Sequence, residues 1–209
     1  MSEAPALARL AIAGDPAPWA ALGFAVDGAS CRIGATRLDF EPGDGGIVRW
    51  TLAGGGKGDV DGLATRWVAP EQEPAAPAPP HPNGATQLDH VVVMTPDVGR
   101  TTAALEHIGL RCRRVREGHA MRRPVRQAFF RAGEVIVEVV GPPEPAGDEP
   151  AAFWGLVAVV EDLDACVRRL GERLSAARDA VQPGRRIATV RRESGVSVAL
   201  ALMSPPPAR

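Results

Sequence analysis

Two stretches of the chain share one pattern of apolar and polar positions. Residues 88–105 and 153–170 each contain an apolar run rich in β-formers, then an acidic residue, then apolar side chains at helical spacing. The acidic residues, Asp97 and Asp162, lie 65 positions apart. Both suit a helix N-cap, because a carboxylate there accepts hydrogen bonds from the free amides of the first turn. Each stretch is therefore predicted to form a strand followed by a helix.

The segments that follow these two stretches also match each other. Residues 133–142 and 196–205 are both β-rich, and both end in proline. Two further strands are predicted before each of them, at 110–117 and 123–132 in the first repeat and at 175–182 and 185–192 in the second. Each repeat is then a β-α-β-β-β module. Modules this short are expected to pair around one shared core.

A shorter version of the pattern opens the chain. Residues 7–24 predict a strand and then a short helix that starts at Asp15–Pro16, residues 31–40 predict a hairpin, and residues 46–52 predict a closing strand. We therefore divide the chain into an abbreviated N-terminal βαβββ module (1–67), a Pro/Ala-rich linker (68–87) and a pair of βαβββ modules (88–209). The composition of the linker is typical of an extended, semi-rigid segment.

A tandem βαβββ repeat, with His90 in its first strand and Glu138 in its last, resembles the vicinal oxygen chelate superfamily. That superfamily includes glyoxalase I, the bleomycin-resistance proteins, extradiol dioxygenases and methylmalonyl-CoA epimerase. The resemblance implies an α+β fold in which the tandem modules form a cupped eight-stranded mixed sheet around a pocket. It also implies up to four metal ligands, which come from the first and last strands of the modules.

Only half of that ligand set is present in this chain. His90 and Glu138 match the pattern in the first module, and Glu138 is also the candidate catalytic residue. Gly155 and Ala201 stand at the equivalent positions of the second module, and Ala8 stands at the His90 position of the N-terminal module. The resemblance thus implies one divalent metal ion that is weakly held or absent, with His119 or Gln127 as possible additional ligands. Alternatively, His90 and Glu138 bond each other or a water molecule.

Strand alternation suggests which other side chains line the pocket. Val92 and Met94 share a face with His90, and Gln127 and Phe129 share a face of the strand that precedes the Glu138 strand. We predict that these four residues contact a small-molecule substrate or ligand. The alternative for Gln127 and Phe129 is an ordinary amphipathic strand.

Composition narrows the classes of partner. The net charge is -1 and only 4% of the residues are aromatic, which argues against a dedicated nucleic-acid binder. No apolar run approaches the ~20 residues that span a bilayer, and the three cysteines form no CxxC pair. A cytoplasmic protein is expected. Residues 111–131 contain eight arginines and one acidic residue, which favours either a solvated strand face or an anion site.

Two functions remain open on this basis. One is a metal-assisted lyase or isomerase of the glyoxalase/epimerase type that acts through an enolate-type intermediate. The other is a metal-free protein that binds a drug or metabolite, as the bleomycin-resistance branch does. A third alternative is a purely structural or regulatory member without a working pocket.

The abbreviated module also bears on assembly. Its apolar strands must be covered, either by the C-terminal part of the same chain or by a second copy. A two-fold homodimer is the expectation, since two-fold symmetry is the commonest among soluble oligomers.

Overall fold

A computed structural model describes residues 4–54, 56–70, 77–120 and 123–207, and within these ranges most residues lie in two β-sheets. The N-terminal sheet contains six strands: β1 (Ala6–Ala13), β2 (Val26–Asp27), β3 (Ser30–Ile33), β4 (Thr36–Glu41), β5 (Ile47–Ala53) and β6 (Thr65–Val68). The C-terminal sheet contains eight: β7 (Ala85–Met94), β8 (Cys112–Ala120), β9 (Arg123–Ala132), β10 (Val135–Gly141), β11 (Ala152–Val160), β12 (Arg178–Asp179), β13 (Arg186–Thr189) and β14 (Ala199–Met203).

Among the described residues, three short α-helices connect the strands: α1 (Ala17–Ala21), α2 (Val98–His107) and α3 (Leu163–Leu170). The predicted caps are present, since Asp97 accepts from the amide of Arg100 at 3.0 Å and Asp162 accepts from that of Ala165 at 2.8 Å. None of the described helices is long and apolar enough to cross a membrane.

The C-terminal sheet has the predicted architecture of two paired βαβββ modules. Its strand order is β12-β13-β14-β11-β7-β10-β9-β8, so the first strands of the two modules, β7 and β11, lie side by side and antiparallel. Each first strand also pairs in parallel with the last strand of its own module, β7 with β10 and β11 with β14. The result is the cupped, mixed eight-stranded sheet expected from the sequence.

The register confirms the residue equivalences predicted from the repeat. In the first module Val92 lies opposite Glu138, and in the second Val157 lies opposite Ala201. Across the seam between modules, Val92 pairs with Gly155 and His90 pairs with Val157. Gly155 and Ala201 therefore do occupy the positions that correspond to His90 and Glu138.

The last strand of the N-terminal module is not the one that the sequence predicts. Residues 46–52 were expected to form the last strand of the N-terminal module. The last strand of that module is instead β4, which runs parallel to β1. The strand β5 lies on the other side of β1, antiparallel to it, and β6 then pairs in parallel with β5. The N-terminal sheet is thus one complete βαβββ module followed by two strands of another, because β5 and β6 repeat the arrangement of β11 and β14.

Both sheets share one hydrophobic core. Leu10, Trp19 and Trp50 of the first sheet belong to the same buried cluster as Val91 and Leu156 of the second. The ring of Trp50 lies 5.4 Å from that of Phe153 between centroids. The apolar strands of the N-terminal sheet are therefore covered by the chain's own C-terminal half.

Polar contacts reinforce this packing. Ser197 donates to the carbonyl of Ala13 at 2.6 Å, and Asp61 accepts from Thr101 at 2.5 Å. The need to cover an exposed N-terminal face was the reason for expecting a homodimer, and that need is met within one chain. The homodimer itself stays a prediction.

The Pro/Ala-rich linker is anchored at its C-terminal end, while residues 71–76 lie outside the described residues. His81 is buried and accepts from the amide of Ala25 through Nδ1 at 2.8 Å, while Nε2 faces the carbonyl of Arg32 at 2.9 Å. Burial lowers the pKa of His81, which favours the neutral ring that these two bonds require. His81 therefore joins the linker to the N-terminal sheet.

A shared core predicts that damage in the N-terminal sheet weakens the C-terminal sheet. Leu10→Ala removes a side chain with no exposed surface and should lower the free energy of unfolding by about 2–5 kcal/mol. Hydrogen exchange should accelerate at β14 amides as well as at β1. Val181→Ala, at a 71% exposed residue, is the control and should change neither. Faster exchange confined to the N-terminal sheet would contradict a shared core.

Candidate active site

His90 and Glu138 lie together on one face of the C-terminal sheet. They come from β7 and β10, the adjacent first and last strands of one module, and His90 Nε2 is 3.5 Å from Glu138 Oε2. Both side chains are largely buried, at 11% and 14% exposure. The neighbouring Val91 and Val93 point the other way, into the shared core. The structure therefore brings the two predicted site residues together as strand alternation required.

A β-bulge places a second carboxylate beside His90. Leu88 pairs with Ala158 and His90 pairs with Val157, so Asp89 is the extra residue in β7. Consecutive side chains of a regular strand point to opposite faces, and a bulge relaxes that rule. Asp89 Oδ2 consequently lies 2.7 Å from His90 Nδ1. Since a carboxylate can only accept, Nδ1 carries the proton of this bond.

Arg185 of the second module binds Asp89. It precedes β13, and its NH1 group donates to Asp89 Oδ1 at 2.5 Å and to Gln182 at 2.6 Å. Burial alone would raise the pKa of Asp89, but the hydrogen bonds from His90 and Arg185 outweigh it and lower the pKa to about 2. Asp89 is therefore a carboxylate, and it joins the second module to His90 of the first.

Gln127 extends the polar array from Glu138 toward the edge of the sheet. Its Nε2 donates to Glu138 Oε1, and its Oε1 accepts from Arg116 Nε at 2.8 Å. The Arg116 guanidinium also lies over the Phe129 ring, 5.2 Å from its centroid. A continuous chain of polar contacts thus crosses the sheet. Its members, in order, are Arg116, Gln127, Glu138, His90, Asp89 and Arg185.

The other half of the same face is apolar. Val157, Ala201 and Met203 form a small buried cluster that is separate from the main core, with Ala180 and Ile187 packed against it. Val92 and Met94 follow His90 on its own face, and they are 7% and 37% exposed. The face therefore combines a charged half in the first module with an apolar half in the second.

The Gly155 position has no room for a side chain. A Cβ atom added there would lie 2.4 Å from the carbonyl oxygen of Ala199 and 2.8 Å from its Cβ. The second module therefore lacks both side chains that could bind a metal ion. At position 155 its backbone also occupies the space that such a side chain would need.

The donor set does not fit a tightly held metal ion. Catalytic zinc sites use about three protein ligands, whereas His90 and Glu138 supply one atom each, and both oxygen and nitrogen of Gln127 are already engaged. His119 is exposed near the end of β8. No group of three His, Cys, Asp or Glu side chains that could hold a metal occurs within the part of the chain that the structure describes.

Sequence reasoning identified His90, Glu138 and Gln127 but missed Asp89 and Arg185. Regular alternation assigns Asp89 to the opposite face from His90, and nothing in the strand pattern marks a bulge. Arg185 lies 96 residues from Asp89, so no local signal could join them. In the arginine-rich segment 111–131, Arg116 contacts this array through Gln127, and the sequence pattern does not distinguish it from its neighbours.

The comparisons with known proteins agree with this architecture. The family model described as Glyoxalase/Bleomycin resistance protein/Dioxygenase superfamily matches residues 87–192. No curated protein matches the sequence.

Solved structures resemble the chain over different lengths. A mutant of 4-hydroxymandelate synthase from Streptomyces coelicolor aligns with 98% of this chain and 93% of its own, with 14% identity and a TM-score of 0.63. A fusion of a xylose isomerase-like TIM barrel with 4-hydroxyphenylpyruvate dioxygenase aligns over 100% of this chain and 50% of its own, with 11% identity and a TM-score of 0.64. The methylmalonyl-CoA epimerase of Mycobacterium tuberculosis is 24% identical over 59% of this chain and 91% of its own, with a TM-score of 0.47. The first two likenesses concern the fold and extend over both sheets.

The closed Gly155 position makes a stability prediction. Gly155→Ala should lower the free energy of unfolding by about 1–3 kcal/mol, because the added methyl overlaps the backbone of Ala199. Gly118→Ala is the matched control, since it also lies in a strand and its added Cβ meets its nearest neighbour, in Gln127, at 3.5 Å. Denaturant titration measures both. Equal midpoints for the two variants would show that a side chain can be accommodated at 155.

The pKa of Asp89 makes a prediction about acid stability. Because the pKa is lowered from 3.8 to about 2, the ionised form stabilises the fold above pH 4. This contribution of about 2 kcal/mol is lost as the pH falls toward 2. Unfolding free energies of wild type should therefore fall more steeply over this range than those of Asp89→Asn. Asp179→Asn, at an exposed position, is the control and should keep the wild-type slope, and an unchanged slope in Asp89→Asn would contradict the ion pair.

Proposed function

The chain belongs to the glyoxalase, bleomycin resistance protein and dioxygenase superfamily, and from that premise we propose that it binds a small organic molecule without a metal ion. One observation carries the proposal. At two of the four positions from which the family resemblance implies metal ligands, this chain has Gly155 and Ala201, and the carbonyl of Ala199 blocks a side chain at the first of them.

The polar half of the face supports a ligand that donates hydrogen bonds. Asp89 accepts a hydrogen bond from His90 Nδ1–H, so in a neutral ring the Nε2 lone pair faces Glu138 Oε2 at 3.5 Å. Two acceptors this close favour a donor that lies beside both of them. An N–H, an O–H or a cationic ammonium group of a ligand would satisfy both.

The apolar half supports an aromatic or aliphatic part of the same ligand. Val157, Ala201 and Met203 form a buried apolar cluster on the second-module side of this face, and Val157 lies directly across the seam from His90. Ligand pockets commonly combine such surface with a few convergent polar groups. We therefore propose an amine with an aromatic or branched aliphatic body as the ligand class.

The metal-assisted lyase or isomerase expected from the sequence is the second candidate. The contact between Asp89 and His90 Nδ1 favours it, because carboxylates commonly orient metal-binding histidines in this way. In that function His90 and Glu138 would hold a divalent ion, which would supply Lewis-acid stabilisation of an enolate oxygen.

Elemental analysis of protein expressed in metal-replete medium separates the two candidates. We expect much less than one transition metal ion per chain, and the same melting temperature before and after chelation, because only two donor atoms meet. One metal per chain in wild type, lost in His90→Ala, would overturn the metal-free proposal and favour the enzyme.

Binding itself is tested with a panel of arylalkyl amines, with neutral arylalkyl alcohols of the same size for comparison. The amines should bind more tightly, and Glu138→Gln should weaken their binding by about tenfold or more, since a hydrogen bond to a charged group contributes about 1.5–3 kcal/mol. Glu134→Gln, exposed beside β10, is the matched control and should bind as wild type does. Equal affinities of wild type and Glu138→Gln would contradict this site.

A further inference from the structure

The inner face of the N-terminal sheet repeats the register of the candidate active site. Arg9 pairs with Arg37 on one side and with Thr51 on the other. His90 pairs in the same way, with Ile136 in the last strand of its own module and with Val157 in the first strand of the next. Arg9 therefore stands at the position that corresponds to His90. The sequence-based prediction of Ala8 at this position is wrong. The connection between β1 and Asp15 is one residue shorter than that between β7 and Asp97, which shifts the equivalence by one position.

The same register assigns the other three positions. Ala11 lies opposite Asp39 and Arg49, as Val92 lies opposite Glu138 and Gly155. Thr51 lies opposite Arg66, as Val157 lies opposite Ala201. The four positions that correspond to His90, Glu138, Gly155 and Ala201 are thus filled in the N-terminal sheet by Arg9, Asp39, Arg49 and Arg66.

These four side chains surround one cavity, here called the N-terminal pocket. Arg9, Asp39, Arg49 and Arg66 line it together with Thr51, and its volume is about 100 Å³. That volume corresponds to roughly three water molecules at about 30 Å³ each. It suits a group of the size of a phosphate or a carboxylate rather than a whole coenzyme.

Positive charge exceeds negative charge around the N-terminal pocket. Asp39 accepts from Arg37 at 2.6 Å and from Arg9 at 3.5 Å. Glu41, which follows on the same face of β4, accepts from Arg49 at 3.0 Å. Within the described ranges, Arg66 makes no ion pair. These residues therefore comprise four arginines and two carboxylates.

We propose that the N-terminal pocket binds a small oxyanion through Arg49 and Arg66. Guanidinium groups match the two oxygens of a carboxylate or phosphate with two parallel N–H donors, and both arginines line the cavity. Equivalent backbone positions would then bind opposite kinds of ligand in the two sheets. Glu138 in the C-terminal sheet would accept from a ligand's hydrogen-bond donor, and the arginines in the N-terminal sheet would bind an anion.

Calorimetric titration of the full chain with inorganic phosphate, and separately with malonate, tests the proposal at low ionic strength. We expect one site per chain for at least one of the two anions, and the tighter of them identifies the group. Arg49→Gln and Arg66→Gln should each weaken binding by about tenfold or more, while Glu138→Gln should leave it unchanged. Melting curves establish that both variants remain folded.

Two matched controls locate the anion. Arg178→Gln removes an exposed arginine from an edge strand of the other sheet, and Arg114→Gln removes one from the arginine-rich segment on β8. Both should bind as wild type does. No saturable binding of either anion, full binding by the Arg49 and Arg66 variants, or an equal loss in Arg114→Gln would overturn the proposal.

Discussion

The rest of the C-terminal half depends on the register of one strand pair, β7 against β11. That antiparallel seam pairs His90 with Val157 and Val92 with Gly155, so it decides which side chains of both modules meet on the inner face. A shift of one residue would send every inner side chain into the core. The bulge at Asp89 is part of the same register, and it allows a carboxylate and an imidazole to be neighbours both along the chain and in space.

The N-terminal sheet contains the same seam with two of its three irregularities. Its β1–β5 pairing skips Ala8 and Val48, as the β7–β11 pairing skips Asp89 and Trp154. Two bulges at equivalent places give the two inner faces a common geometry. Since Ala8 has no polar side chain, nothing there performs the role that Asp89 has toward His90. The backbone arrangement is thus shared by the two sheets, while their site chemistry differs.

Much of the fold could be predicted because its signals are local. Asp97 and Asp162 mark helix starts, and strands that end in proline mark the ends of the modules, which is enough to establish the equivalence of Glu138 with Ala201. The last strand of the N-terminal module could not be identified, because β4 and β5 have similar strand patterns and only tertiary pairing distinguishes them. Asp89 and Arg185 escaped prediction for a related reason: a bulge and a contact over 96 residues leave no periodic trace.

The buried pair of Asp89 and Arg185 bears on the proposed role of the polar half of the inner face. Removing two charges from water is costly, and apolar side chains of similar volume often stabilise a fold as well or better. The second module fills its own part of the same face with Val157, Ala201 and Met203, so packing alone does not require charge there. What the pair does is fix the proton of His90 on Nδ1 and aim Nε2 at Glu138. Under the proposed metal-free ligand site, the cost of the buried charges is explained by the chemistry beside His90 Nε2 and Glu138 Oε2, where a ligand's donor group would bind.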